Sequence, residues 1–190
     1  DRRQRQMCIR DRPLNEVPAT GGARSDTYAI LLSGDGGWAG LDQEVAKALA
    51  AKGIPVVGFD SLRYFWKKRT PQGLASDLDR IIRYYGAHWG KAKVMLIGYS
   101  QGADVLPFAV NRLAPDTRAQ LLQAVYLALS NNAAFEFHVT NWMSDDVADA
   151  IPTMPEILKL KAAQNFCVYG EGDDEQVCSK VPPGHLRVQA

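Results

Sequence analysis

At 190 residues, 46% hydrophobic and 23% charged, the chain has the size and composition of one globular domain with a substantial core. A formal net charge of +1 excludes bulk electrostatic attraction to nucleic acid. No apolar run approaches the roughly 20 residues that span a bilayer, and no signal-peptide pattern is present, so the chain reads as cytoplasmic or as one relieved of its signal.

Residues 1–26 differ from the rest. DRRQRQMCIRDR is basic and nearly without apolar periodicity, and Pro13, Pro18, Gly21 and Gly22 follow it. The stretch reads as a disordered or non-native lead-in, with a basic tail that meets a partner as the alternative. Cys8 is given no role. The fold signal begins at the apolar strand Tyr28–Leu32, which runs into the turn Ser33-Gly34-Asp35-Gly36-Gly37-Trp38. Leu41, Val45 and Leu49, four apart, predict a helix that stops at Gly53. Ile54–Phe59 is the next strand, with Pro55 tolerated at its start. Thr70 and Pro71 supply an N-cap and an N1 proline for a helix that carries Leu74, Leu78, Ile81, Ile82 and Tyr85 on one face and ends at Gly86.

The unbroken apolar run Val94–Ile97 suits a central parallel strand buried on both faces. Directly after it, Gly98-Tyr99-Ser100-Gln101-Gly102 matches G-x-S-x-G, the pattern of a nucleophile elbow. A plain loop serine is the alternative reading. The strand before the motif and the helical pattern Val105, Ala109, Leu113 after it favour the elbow. Pro107 predicts a kink in that helix. Leu121–Leu129 reads as a strand, Ala134–Val139 as an extended piece and Pro155–Lys161 as a short helix. Asn165–Tyr169 reads as a strand that delivers an acidic loop. Strands and helices alternate, so the expected class is α/β: a hydrolase-like, mostly parallel sheet with helices on both faces, one domain over 27–190.

A serine needs a base, and the base needs an orienting acid. In α/β-hydrolases the chain order is nucleophile, acid, histidine. Asp173, with Asp174 as the alternative, is the expected acid; a merely solvated loop competes, because Glu171 and Glu175 crowd the same stretch. Of the three histidines, His88 precedes the serine and His138 precedes the acid. His185 has the right order but follows Asp173 too closely for an intervening helix and strand. Leu186–Ala190 reads as the start of the last strand, so the catalytic histidine is expected beyond residue 190 and the domain is expected to be truncated at its C-terminus. The oxyanion hole would use the amides of Gln101 and Asp35. No G-K-[ST] or G-x-G-x-x-G accompanies the glycine-rich turn, so no nucleotide site, cofactor or metal is expected.

Cys167 and Cys178 flank CVYGEGDDEQVC. A bridge there would close a short loop and indicate an oxidising compartment, with two reduced thiols as the alternative. Arg63-Tyr64-Phe65-Trp66-Lys67-Lys68-Arg69 follows the second strand on the serine's side of the sheet. It would either touch an anionic membrane or acidic substrate, or pack its aromatics over the pocket mouth with its charges solvated.

Three stretches, LLSGDGGWAGLDQEVAKAL at 31–49, GFDSLRYFWKKRTP at 58–71 and IGYSQGADVLPFA at 97–109, together resemble the VirJ/AcvB-type bacterial virulence family of α/β-hydrolases, and the loop at 167–178 agrees. The resemblance covers about residues 27–190. It implies a periplasmic protein associated with type IV secretion and its partner proteins. It also implies hydrolysis of lysyl-phosphatidylglycerol, an aminoacyl ester on a lipid headgroup. The family's Gly-Gly-His-His-Phe-like stretch after the last strand is not found in this chain.

Overall fold

The computed structural model describes residues 13–137 and 149–190. Cys8, His138 and the end of the Ala134–Val139 piece lie outside them. The chain runs β1 (Leu14–Val17), β2 (Thr27–Leu32), α1 (Leu41–Ala51), β3 (Val56–Phe59), α2 (Ser61–Tyr64), α3 (Pro71–Trp89) and β4 (Lys93–Tyr99). It continues through α4 (Gln101–Val110), α5 (Pro115–Gln120), β5 (Leu121–Leu127), the short pair β6 (Asn132–Ala133) and β7 (Ile151–Pro152), α6 (Met154–Ile157), β8 (Asn165–Val168) and β9 (Arg187–Gln189).

Seven strands form one sheet in the order β1-β3-β2-β4-β5-β8-β9. All neighbours are parallel except β1, which pairs antiparallel with β3. The period of two along each strand divides the core. Tyr28, Ile30, Leu32, Val94 and Leu96 join one apolar layer with α3 and α4, while Ala29, Leu31 and Ile97 join the other with Ala46 of α1. This is the expected α/β-hydrolase-like sheet, covered on both faces.

Three expectations need correction. The expectation of a disordered or non-native lead-in over 1–26 is corrected at Leu14–Val17, which forms an edge strand in register with Val56–Phe59. Tyr85 also donates a 2.8 Å hydrogen bond to the Glu16 carboxylate. Four residues carry too little periodicity to be seen in sequence, and this strand exists through pairing with β3. Helix α1 buries Asp42, Ala46 and Ala50, while Leu41, the first residue of the expected stripe, is exposed. Helix α3 runs past Gly86 and ends at Gly90, which has the left-handed φ of 61°. Gly86 lies inside the helix, where a Cβ would come 3.3 Å from the movable end of the Gln120 side chain. The expected Thr70 cap is present, its hydroxyl accepting from Gly73 N at 3.0 Å.

Cys167 and Cys178 form a disulfide, joining β8 to the far side of the acidic loop. The separation is 11 residues, and closing a loop of that order restricts the unfolded chain by about 3 kcal/mol. The double variant Cys167→Ser/Cys178→Ser is therefore expected to lose about that much stability in urea denaturation. Both sulfurs are buried, so packing losses accompany the entropic effect.

Candidate active site

Ser100 sits between β4 and α4 with φ 51° and ψ −120°, a backbone region that a residue with a Cβ adopts only under constraint. The constraint is visible on both sides. A Cβ on Gly98 would come within 2.4 Å of Gly102 O, and one on Gly102 within 2.3 Å of Leu32 O. The turn is thus wedged between β2 and the first turn of α4. Ser100 N donates to Leu127 O at 2.9 Å, and Ser100 O accepts from Asp104 N at 3.0 Å. This is the tight strand-to-helix turn that the G-x-S-x-G motif predicts.

The glycine-rich turn after β2 lies directly against the serine. It is closed by a 3.1 Å hydrogen bond from Gly37 N to Gly34 O, and a Cβ on Gly34 would lie 3.5 Å from the Ser100 Cβ. Gln101 is the first residue of α4, so its amide has no intrahelical acceptor and stays available to a developing oxyanion. Asp35, at the exposed tip of the turn, borders the same cavity as Ser100 and Gln101.

That cavity has a volume of about 390 Å³. Its walls carry Asp35, Asp104, Glu136, Asp173 and Glu175, and no lysine, arginine or histidine among the described residues. Ala128, with φ 56°, also lines it. The two non-glycine residues of positive φ, among the described residues, therefore border one cavity, which is where backbone strain concentrates at functional sites.

Of the two candidate acids, Asp173 is half-buried on the cavity wall, and its Oδ1 accepts from Glu175 N at 3.1 Å. Asp174 is exposed and does not line the cavity. His185 is not brought to the serine. Its Nδ1 lies 3.1 Å from Leu160 O, before β8. Pairing across the sheet sets Tyr99, Leu127, Val168 and Gln189 at one level, and His185 is four residues short of Gln189. At ~3.3 Å per residue it sits ~13 Å toward the amino ends of the strands, the wrong edge. His88 is exposed on the last turn of α3 and stacks on Tyr84.

Asp104 was not singled out from sequence. It lies half-buried on α4, one turn after Ser100, and accepts a 2.7 Å hydrogen bond from Ser130 N. Its spacing of four from the serine was the signal that could have found it. Ser130 is itself a junction: its carbonyl accepts from Thr153 Oγ1, and it bridges to Gln176 in the acidic loop. Burial, opposed by the hydrogen bond to Ser130 and reinforced by Asp35 and Glu175, pushes the Asp104 carboxyl up to about 7.

An acid whose pKa is raised on folding stabilises the fold fully below its unfolded value, and that contribution is lost as pH rises through the folded value. Stability should therefore fall between about pH 4 and pH 7. In Asp104→Asn, denaturation midpoints should fall less steeply over that range. Asp42, raised to about 6 by its own burial, acts with the same sign and keeps the slope from vanishing.

The profile of the family described as bacterial virulence protein (VirJ) matches residues 26–187. No curated protein matches the sequence. Among solved structures, the chain is similar to an α/β serine hydrolase without a lid from Xanthomonas campestris. The two are 16% identical with a TM-score of 0.56, over 93% of this chain and 77% of that one. The N-formylmaleamic acid deformylase of Pseudomonas putida is 12% identical with a TM-score of 0.55, over 92% of this chain and 86% of that one. The poly(3-hydroxybutyrate) depolymerase LpqC of Bordetella parapertussis is 14% identical with a TM-score of 0.53, over 83% of this chain and 59% of that one. At such identities the likeness establishes the α/β-hydrolase fold.

Proposed function

The chain belongs to the VirJ family of bacterial virulence proteins, and from that premise we propose that it is a serine hydrolase cleaving a carboxylic ester at Ser100. The observation that carries this reading is the constrained φ of Ser100 at a cavity, with the first amide of α4 beside it. Ser100 attacks the acyl carbon, the amides of Gln101 and Asp35 hold the oxyanion, and Asp173 orients the histidine that takes the serine proton. A histidine that serves Ser100 would stand at the carboxyl ends of the strands, where Tyr99, Leu127, Val168 and Gln189 share one level.

The wall of carboxylates supports an acyl or alcohol group with positive charge, as in the aminoacyl ester of lysyl-phosphatidylglycerol. Gln101 Oε1 adds a buried acceptor without a hydrogen-bond partner among the described residues. The buried disulfide is compatible with an oxidising compartment, and we assign the protein to the periplasm in association with type IV secretion. Incubation with a fluorophosphonate probe and peptide mapping is the test, together with turnover of lysyl-phosphatidylglycerol against short p-nitrophenyl esters. Label on the peptide carrying Ser100 and a preference for the cationic ester are expected. Absence of label on Ser100 would sink the reading.

A second reading is a non-catalytic partner within a secretion assembly, because the hydrolase scaffold hosts many functions. It predicts that Ser100→Ala leaves the biological phenotype intact.

A further inference from the structure

A second concavity, of about 460 Å³, lies beside the first and has the opposite charge. Leu62, Arg63, Trp66, Lys67 and Arg69 line it. These residues follow β3, at the carboxyl edge of the sheet where Ser100 also stands. Asp60 fixes the start of α2, its side chain accepting from Arg63 N at 3.1 Å. Two backbone hydrogen bonds hold the segment to the cavity wall, Phe137 N to Phe65 O at 2.7 Å and Arg69 N to Phe135 O at 2.9 Å.

The seven residues Arg63–Arg69 divide their work. Tyr64 and Phe65 are fully buried and pack on Phe59 and Phe135. Arg69 is held by Tyr64, its Nε donating to the Tyr64 carbonyl at 3.0 Å and its guanidinium lying 4.4 Å from the ring centroid. Lys68 is paired with Asp149 at 3.0 Å. Arg63 and Lys67 are exposed and make no ion pair among the described residues. Trp66 is 60% exposed, the highest value among the exposed large apolar side chains of the described residues. It is kept in place by stacking at 5.6 Å on Phe137, which lines the acidic cavity.

We propose that this cleft, Arg63, Lys67 and Arg69 around the exposed Trp66, docks the protein onto an anionic phospholipid surface. Three cations beside an amphipathic indole combine attraction to headgroup phosphates with an anchor suited to the headgroup layer. The net charge of the whole chain is only +1, so the attraction is local to this edge. The carboxylates around Ser100 would be repelled by the same surface, and the cleft sets the face that approaches. The inference does not depend on Ser100 being a nucleophile.

Sedimentation with phosphatidylglycerol-containing vesicles tests it, with phosphatidylcholine vesicles as the reference. The full chain should bind the anionic vesicles at low salt, release at high salt and leave the reference vesicles alone. Arg63→Ala/Lys67→Ala should weaken binding by about 25-fold, from the roughly fivefold that each basic residue contributes at such a surface. Trp66→Ala should weaken it further while ionic strength dependence persists. The Ser100→Ala protein should bind as the parent does, which keeps this result separate from the hydrolase reading. Turnover of a soluble ester should be unchanged in the Arg63/Lys67 variant. Equal binding by that variant, or equal binding to phosphatidylcholine, would overturn the proposal. Displacement from the vesicles by millimolar inorganic phosphate would also overturn it, by revealing a soluble-anion site.

Discussion

Ser100→Ala is expected to abolish fluorophosphonate labelling and to lower ester turnover by roughly 10⁴- to 10⁶-fold, the range for loss of an activated serine. The fold should remain. Ser100 caps α4 without a side-chain hydrogen bond and is only half-buried, so its hydroxyl supports no neighbour. Alanine at φ 51° bears the same backbone strain as serine, and thermal midpoints should therefore agree within a few degrees. A variant that keeps turnover within tenfold of the parent would show that another residue attacks.

Gly102→Ala should damage both stability and activity, with a loss above about 3 kcal/mol in denaturant titrations. The added Cβ would meet Leu32 O at 2.3 Å, with Leu32 C and Ser33 O at 2.7 Å. These are backbone atoms at the end of a strand paired on both sides, so neither has room to yield. Relief would require α4 to back away from β2, separating the Gln101 amide from the turn that carries Asp35. The two proposed oxyanion donors would then no longer converge. Gly36→Ala is the matched control: nothing lies within 4 Å of its Cβ position and its φ is not left-handed, so stability should change by less than about 0.5 kcal/mol. Equal effects at the two glycines would refute the steric account.

The apolar run of β4 and the two glycines around Ser100 announced the elbow, because strand burial and a forbidden Cβ are local requirements written in adjacent residues. The cysteine pair was legible for a similar reason, since a short span limits where each sulfur can go. Asp173 was preferred over Asp174 from its place after β8, while which of the two lines the cavity was visible only in the structure. His185 had the right chain order but the wrong spacing, and the sheet places it before β9, toward the amino ends of the strands. Chain order does not say at which end of β9 a residue stands.

The sequence by itself determined the α/β class, the strand–helix alternation, the elbow at Ser100 and the basic–aromatic composition of Arg63–Arg69. Each of these is a pattern of near neighbours, in which backbone geometry and side-chain burial repeat over a few residues. Only the tertiary structure decided that Leu14–Val17 is an edge strand, that Asp104 is hydrogen-bonded to Ser130, and that carboxylates from four separate segments face one cavity. It alone separated the acidic cavity from the cationic cleft across the Trp66–Phe137 stack. Those outcomes depend on contacts between residues distant in the chain, and burial and charge at such contacts arise only once the sheet has set their distances.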